Sequence, residues 1–180
     1  MIFLSAGHDP TSKGASYMNF NEFDEASKWV DMISSYFSET EISTVPAGSL
    51  RDKVRYINTM AKVFPGAHIA VEVHFNSAKN ADGINIGSGS ETLYYPGSEK
   101  GEKFARIMQK HLSEIFKPNR GVKEGWYQGN PEKGALFFLK STKCPALIIE
   151  PEFIHKEPVI KGNRVKGCNA VVRALKEITN

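Results

Sequence analysis

Apolar residues recur at helical spacing in four long stretches of the chain, and polar or turn-forming residues flank each stretch. The pattern predicts helices over residues 22–38, 50–64, 99–116 and 162–178. Ser49 can cap the second helix, with Asp52 as a weaker capping-box partner. A short helix is also expected near residues 135–139, within a segment whose pattern is otherwise indistinct.

Short apolar runs lie between these helices and predict strands. The clearest runs are residues 2–6, 68–73 and 146–149, and a further strand is predicted at residues 91–95, where Pro96-Gly97 ends it. Polar stretches rich in glycine and serine, at residues 11–21 and 76–90, predict loops. Because strands alternate with helices and several strands are apolar on both faces, the pattern favours an α/β domain with a largely parallel central sheet.

Length and composition fit one globular domain over residues 1–180. With 41% hydrophobic and 24% charged residues, the chain lacks the composition of a disordered protein. The net charge of +3, without a dense run of lysine or arginine, indicates no nucleic-acid partner. It allows at most a weak attraction to an anionic polymer such as a bacterial wall. We expect the chain to act as a monomer.

Targeting signals and cross-links are not evident in the sequence. The N-terminal segment is a short apolar run without a charged leader, so it predicts a strand and not a signal peptide. No stretch approaches the ~20 apolar residues that an integral membrane segment needs. Action outside the cytoplasm would therefore require a separate lysis or export route. Cys144 and Cys168 are interpreted as buried small hydrophobic residues and not as a disulfide.

Three predicted strands lead directly into an ionisable residue. The first strand is followed by His8, the strand at residues 68–73 by His74, and the strand at residues 146–149 by Glu150. In open parallel sheets the ligand crevice lies beyond the carboxyl ends of the strands. If the three strands are parallel neighbours, these side chains meet at one edge of the sheet.

Glu22 is a fourth candidate, at the start of the first helix. On a helical wheel it lies at the centre of the apolar stripe, in line with Ala26, Trp29 and Ile33. A core-facing carboxylate is costly unless it is paired or bound to a metal. Its position in the first turn also directs it toward the loop edge. A favourable interaction with the helix dipole is the alternative, but the wheel favours a ligand.

Two histidines and one carboxylate form a ligand set that suits a single zinc ion with one position left open for water. His8, Glu22 and His74 are the predicted ligands, and zinc is inferred from the ligand types. Such a site lowers the pKa of bound water and polarises a carbonyl. Glu150 is the predicted catalytic carboxylate, which takes the proton of the zinc-bound water and passes it to the leaving amine.

Other residues are weaker candidates. His68 opens a strand, His111 is typical of a core histidine on a helix, and the position of His155 favours a solvent-exposed side chain. Glu72 alternates with inward valines, so we expect it to pair with a lysine. A serine or cysteine nucleophile has no support, because the chain contains neither His-Glu-x-x-His nor Gly-x-Ser-x-Gly and has no phosphate-binding glycine loop.

Several segments, taken in order, resemble the zinc-dependent N-acetylmuramoyl-L-alanine amidases of the amidase-3 type. The resemblance covers nearly the whole chain, and the ordered set is more specific than any one motif. Its segments are SAGHDP at residues 5–10, KGA at 13–15, Glu22, the helix at 50–58, VHFNS at 73–77, NRGVK at 119–123 and residues 136–153, which include ALIIEPEF.

The resemblance implies a three-layer α/β fold, in which helices on both faces flank a twisted, mostly parallel sheet. It matches His8, Glu22 and His74 to the zinc ligands and Glu150 to the catalytic glutamate. Asn76, in the His-x-Asn segment, is expected to bind substrate. The implied reaction is hydrolysis of the amide between the lactyl group of N-acetylmuramic acid and L-alanine. The implied partner is peptidoglycan, through its glycan strand and stem peptide.

The chain departs from the family pattern at two positions of interest. Lys53 stands where arginine is usual, and Glu152 stands where the family has glycine, which could alter the rim near Glu150 or the approach of the stem peptide. A bare catalytic domain of this kind resembles a phage endolysin. Alternatives are an endopeptidase or carboxypeptidase acting on the stem peptide with the same zinc site, or a non-catalytic wall-binding module.

Overall fold

A computed structural model describes residues 1–66 and 68–180 of the chain. Its helices are α1 (Glu22–Ser34), α2 (Leu50–Val63), α3 (Glu99–Ile115), α4 (Phe137–Ser141) and α5 (Glu157–Thr179). Its strands are β1 (Ile2–Ala6), β2 (Ser16–Tyr17), β3 (Phe20–Asn21), β4 (Ile42–Thr44), β5 (Ile69–Val73), β6 (Ser90–Tyr94), β7 (Asn119–Glu124) and β8 (Ala146–Glu150). The order of these elements confirms the predicted alternation of strands and helices.

Six strands form the central sheet in the order β4-β1-β5-β8-β6-β7. Strands β4, β1, β5 and β8 are parallel to one another, whereas β6 is antiparallel to β8 and parallel to β7. The prediction of a mostly parallel sheet is therefore confirmed. Because β6 and β7 run in the opposite direction, they begin at the edge where β1, β5 and β8 end. The carboxyl ends of β4, β1, β5 and β8 therefore share this edge with the amino ends of β6 and β7.

Helices cover both faces of the sheet, as the resemblance implied. On one face α1, α3 and α5 pack around Trp29, Met108 and Leu175. On the other face α2 and α4 pack on the sheet through Ile57 and Phe138. The sheet is thus the middle of three layers. None of the helices described is both long and apolar enough to cross a membrane.

The observed elements differ from the predicted ones where local signals were weak. Strand β4 has only three residues, and β7 is a polar edge strand, so neither gave a clear pattern. Helix α1 ends at Ser34, four residues early, where serine hydroxyls bond to carbonyls of the last turn and compete with the helix. Helix α5 begins at Glu157 and not at the predicted residue 162, because a proline is tolerated in the first turn of a helix.

A buried ion pair joins α1 to α5. Glu25 is fully buried and accepts hydrogen bonds from Arg164 Nε at 2.6 Å and Nη2 at 2.7 Å. Trp29 Nε1 donates a third hydrogen bond to the same carboxylate at 3.2 Å. Arg164 therefore donates to both carboxylate oxygens and Trp29 adds a neutral donor to Oε1, which satisfies the hydrogen-bonding requirement of a buried charge.

Replacing Glu25 with alanine should lower the free energy of unfolding by about 3 kcal/mol, since removal of one member of a buried pair leaves the other without its partner. The expected loss lies at the low end of the usual range because the Arg164 side chain is 23% exposed and can regain water. Urea denaturation would measure it. A stability within about 0.5 kcal/mol of wild type, as for an ordinary surface substitution, would contradict the role assigned to this pair.

Candidate metal centre and active site

His8, Glu22 and His74 meet at the edge of the sheet where β1 and β5 end. Glu22 Oε2 lies 3.0 Å from His8 Nε2, and Glu22 Oε1 lies 2.8 Å from His74 Nδ1. One ligand-type atom from each residue lies within 4.8 Å of the others. His8 follows β1, His74 follows the neighbouring parallel strand β5, and Glu22 is the first residue of α1. The structure thus brings together three residues that are distant in the chain.

Backbone amides hold the Glu22 carboxylate between the two rings. Ala15 N donates to Oε2 at 2.9 Å, and Phe75 N donates to Oε1 at 3.1 Å. Burial raises the pKa of Glu22, but hydrogen bonds from His74 and His8 outweigh it and hold this pKa far below its usual range. Burial lowers the pKa of His74, yet hydrogen bonds to Glu22 and Glu72 raise it well above its usual value. The carboxylate is therefore ionised at neutral pH.

Two glycines let the chain pass close to these side chains. A Cβ on Gly7 would lie 2.6 Å from His74 Nδ1, and one on Gly14 would lie 2.6 Å from Glu22 Oε2. Gly14 also has a φ of +73°, which favours glycine. The Gly-His and Lys-Gly-Ala motifs noted in the sequence therefore have a steric reason at this site.

The donor set fits a zinc ion. Two imidazole nitrogens and a carboxylate are typical of zinc sites that keep a position open. Tetrahedral zinc bonds of about 2.0 Å separate the donor atoms by about 3.3 Å. The contacts of 2.8 Å and 3.0 Å and the upper separation of 4.8 Å bracket this spacing. The His74 ring contacts a second buried carboxylate as well, because Glu72 Oε2 lies 3.0 Å from His74 Nε2.

Glu150 ends β8 at the same edge of the sheet. Strand β8 pairs with β5 in a register that places Val73 beside Ile149, and His74 N donates to Ile149 O. Among the described residues, the buried Oε2 atom of Glu150 has no hydrogen-bond partner. Burial raises the pKa of Glu150 to about 8, with His74 opposing the shift. An unpartnered carboxylate oxygen beside the candidate ligands is available for proton transfer.

A charged network on β6 and β7 borders Glu150. Glu91 lies opposite Glu150 in the register of β6 and β8. Its carboxylate accepts hydrogen bonds from Asn76 Nδ2 at 2.7 Å, from Arg120 Nε at 2.8 Å and from Lys123 Nζ. Burial raises the pKa of Glu91, but Lys123 and Arg120 lower it by more. The pKa of Glu91 therefore lies below its usual value. Sequence reasoning missed Glu91, although its position at the start of a predicted strand was a usable signal.

Glu72 pairs with a lysine, as predicted. The partner is Lys53 on α2, whose ammonium lies 3.4 Å from Glu72 Oε1. Both side chains are nearly fully buried. Lys53 also donates to the carbonyl oxygens of Ala6 and His8. The contacts of this pair with both candidate histidine residues were not predicted from the sequence.

Comparison with known proteins identifies the family. The chain matches the amidase-3 family, described as N-acetylmuramoyl-L-alanine amidase, over residues 2–161. The chain belongs to this family. The match confirms the prediction of an N-acetylmuramoyl-L-alanine amidase that acts on peptidoglycan. No curated protein sequence matched the chain.

Solved structures of amidases share the fold. The N-acetylmuramoyl-L-alanine amidase from Clostridium difficile 630 has 20% identity and a TM-score of 0.80, covering 99% of this chain and 95% of that one. The catalytic domain of the CD27L endolysin, which targets Clostridia difficile, has 22% identity and a TM-score of 0.74, with 98% and 96% covered. The catalytic domain of CwlV from Bacillus (Paenibacillus) polymyxa var. colistinus has 16% identity and a TM-score of 0.79, with 99% and 97% covered. At these identities the likeness establishes the fold alone.

Asn76, the predicted substrate-binding residue of this amidase-3 family member, takes part in the network around Glu91. Its amide nitrogen donates to Glu91, and its side-chain oxygen accepts from Ser77 N at 2.9 Å. An asparagine amide has two hydrogens and two lone pairs. These contacts leave one amide hydrogen and one oxygen lone pair of Asn76 free to contact a substrate. The substrate-binding role of Asn76 stays a prediction.

Glu152, which was expected to alter the rim near Glu150, is instead buried and does not line an open rim. Its Oε1 atom accepts from Gly89 N at 2.7 Å and from Phe153 N at 2.9 Å. Ser88 Oγ donates to Oε2 at 3.3 Å. The carboxylate thus ties the loop after β8 to the loop before β6. Any effect on substrate approach would act through these loops.

The remaining histidines lie outside the candidate centre. His111 Nε2 lies 2.8 Å from Glu177 Oε2, on the pair of helices α3 and α5. His68 Nε2 contacts the Phe64 carbonyl at the other end of the sheet. His155 packs between the rings of Tyr17 and Phe153, with centroid distances of 6.4 Å and 6.0 Å.

Proposed function

We propose that the chain hydrolyses the amide between the lactyl group of N-acetylmuramic acid and L-alanine with the help of one zinc ion. In this proposal His8, Glu22 and His74 hold the zinc ion, and Glu150 is the catalytic carboxylate. The observation that carries it is the meeting of these three donor residues, within 4.8 Å, at the sheet edge where Glu150 ends β8.

A bound zinc ion would polarise the scissile carbonyl and lower the pKa of a water molecule, and its charge would keep Glu150 ionised. His8, Glu22 and His74 would supply its three protein ligands. The amides of Ala15 and Phe75 orient the Glu22 carboxylate, so its geometry does not depend on the substrate. A fixed donor set of this kind suits a site that must hold substrate and water in one arrangement.

Glu150 would transfer a proton from the attacking water to the leaving nitrogen. As the attacking water adds to the carbonyl carbon, Glu150 Oε2 accepts one proton from it. The carbon–nitrogen bond then breaks, and Glu150 returns that proton to the leaving nitrogen of L-alanine. The products are a lactyl carboxylate on the sugar and a free amino end on the stem peptide. Oε2 has no partner within the described part of the chain, so no competing hydrogen bond must break.

Asn76 would contact the substrate with its remaining amide hydrogen or lone pair. The Glu91 carboxylate fixes the orientation of its amide group, and Arg120 and Lys123 neutralise Glu91. An amide held in this way binds a peptide group with less loss of conformational entropy than a free side chain.

Residues 1–180 would form the whole catalytic domain, acting as a monomer. The similarity to an endolysin catalytic domain supports a role in wall lysis.

Digestion of purified peptidoglycan should release intact stem peptides with free L-alanine amino ends and leave glycan strands without peptide. Mass spectrometry of the products measures both. An endopeptidase or carboxypeptidase would instead shorten stems that stay attached to muramic acid. A wall-binding module would sediment with the walls and release nothing. Either of these results would contradict the proposed reaction.

A chelator provides the matched control. The same digestion after zinc removal should yield no new amino ends, and added zinc should restore them. Product formation that persists after verified metal removal would exclude the zinc-dependent mechanism while leaving the amidase reaction itself in place.

A further inference from the structure

We propose that Glu72 and Lys53 act as positioning residues for both histidine ligands. Glu72 would fix the His74 ring with Nδ1 toward the metal, and Lys53 would fix the backbone that carries His8. This inference rests on the metal site proposed above. It assigns to a buried ion pair a role in metal affinity, beyond packing.

The His74 ring lies between two carboxylates that contact different nitrogens. Nε2 lies 3.0 Å from Glu72 Oε2, and Nδ1 lies 2.8 Å from Glu22 Oε1. When a metal binds His74, its imidazole is neutral and carries one proton and one lone pair. A carboxylate that accepts the Nε2 proton leaves the Nδ1 lone pair facing Glu22 and the candidate centre. Metal-bound histidines commonly donate their second nitrogen to a carboxylate in this manner, and loss of that partner weakens metal binding.

Lys53 connects the same unit to His8. Its ammonium has three donors and reaches three acceptors, which are the carbonyl oxygens of Ala6 and His8 and the Glu72 carboxylate. His8 has a φ of +63°, an unfavourable value for a residue other than glycine. Hydrogen bonds to the carbonyls on either side of Gly7 hold the chain in this conformation. One buried cation thereby ties the end of β1 to β5.

Packing alone does not account for this pair. All the remaining residues of β5 are apolar and buried in the sheet. A buried ion pair is weak evidence of stabilisation, because apolar residues of similar volume often stabilise a core as well or better. Glu72 and Lys53 are each within 3% of full burial, yet each contacts a candidate ligand residue. The polar contacts of Glu72 and Lys53 are therefore made with the candidate ligand residues and not with the apolar core.

The test compares zinc affinity in wild type, Glu72→Ala and Glu72→Gln by competition with a chelator. Glu72→Ala should raise the zinc Kd by about 10- to 100-fold, the usual effect of removing such a partner. Glu72→Gln keeps an oxygen that can accept the Nε2 proton, so its Kd should lie between those of wild type and Glu72→Ala. If Glu72→Ala fails to fold, the rise in Glu72→Gln still tests the proposal.

A spectroscopic measurement separates positioning from general stability. In the zinc-loaded wild type, ¹⁵N-edited NMR should detect a slowly exchanging Nε2 proton on His74, protected by Glu72. Glu72→Ala should lose that protection. Glu25→Ala is the matched control, since it also removes a buried, paired carboxylate but should leave the zinc Kd and the His74 proton unchanged.

The outcomes distinguish this inference from the proposed function. If the wild type binds no zinc, the metal site fails and this inference fails with it. If the wild type binds zinc but both Glu72 variants keep the wild-type Kd and the protected His74 proton, the positioning role alone is overturned.

Discussion

Replacing Glu150 with glutamine should reduce peptidoglycan hydrolysis by about 10²- to 10⁴-fold, the range for loss of a general acid–base group. Glutamine has nearly the same shape but cannot accept the proton of the attacking water. Because Glu150 is not among the three clustered donors, the variant should bind zinc as wild type does. Release of free L-alanine amino ends measures the rate, and metal analysis measures the zinc content.

Two variants complete this experiment. Glu150→Ala should show the same loss, which rules out an effect of the new amide group. Glu114→Gln removes an exposed carboxylate from α3 and should keep full activity. Near-normal hydrolysis by both Glu150 variants would remove Glu150 from the mechanism, whereas loss of zinc in them would mean that Glu150 supports the metal site instead.

Replacing His74 with alanine should abolish stoichiometric zinc binding and the activity that depends on it. Because a metal that binds only the folded state adds to its stability, zinc at 100 times its Kd should stabilise the wild type by about 2.7 kcal/mol. For a domain of this size, that corresponds to a rise in Tm of about 5–10 °C. Thermal denaturation with and without zinc should show this rise in wild type and no rise in His74→Ala.

His111→Gln is the control for this substitution. His111 is also a largely buried histidine paired with a glutamate, but it lies between α3 and α5. The variant should keep both the zinc content and the zinc-dependent rise in Tm. Stoichiometric zinc in His74→Ala would refute the proposed ligand set, whichever result the control gives.

Much of the framework was predictable because its signals are local. Helical spacing of apolar residues located α1, α2, α3 and α5, and Ser49 caps α2 as predicted, accepting from Asp52 N. Apolar runs located β1, β5 and β8, and β6 was predicted at residues 91–95 before Pro96-Gly97. The short strand β4 and the polar edge strand β7 were missed, because three residues are too few for a pattern and an edge strand needs no apolar face.

The contacts of the site were predictable only in part. The strand-end positions of His8, His74 and Glu150, with Glu22 on an apolar stripe, suggested one site, and the structure brings the first two together with Glu22. Their roles as ligands remain a proposal. The network of Glu91 with Arg120 and Lys123 was not predicted, because its partners come from two strands whose pairing has no local signal.

The sequence by itself determined the α/β alternation, the family and the residue types available for chemistry. These follow from periodicity and from motifs, each of which lies within a short segment. Only the tertiary structure decided that Glu72 contacts His74, that Lys53 also holds the backbone at His8, and that Glu150 keeps an unpartnered oxygen. The physical reason is that a buried polar group must find its partners across neighbouring strands and helices, at distances fixed by packing and not by sequence spacing.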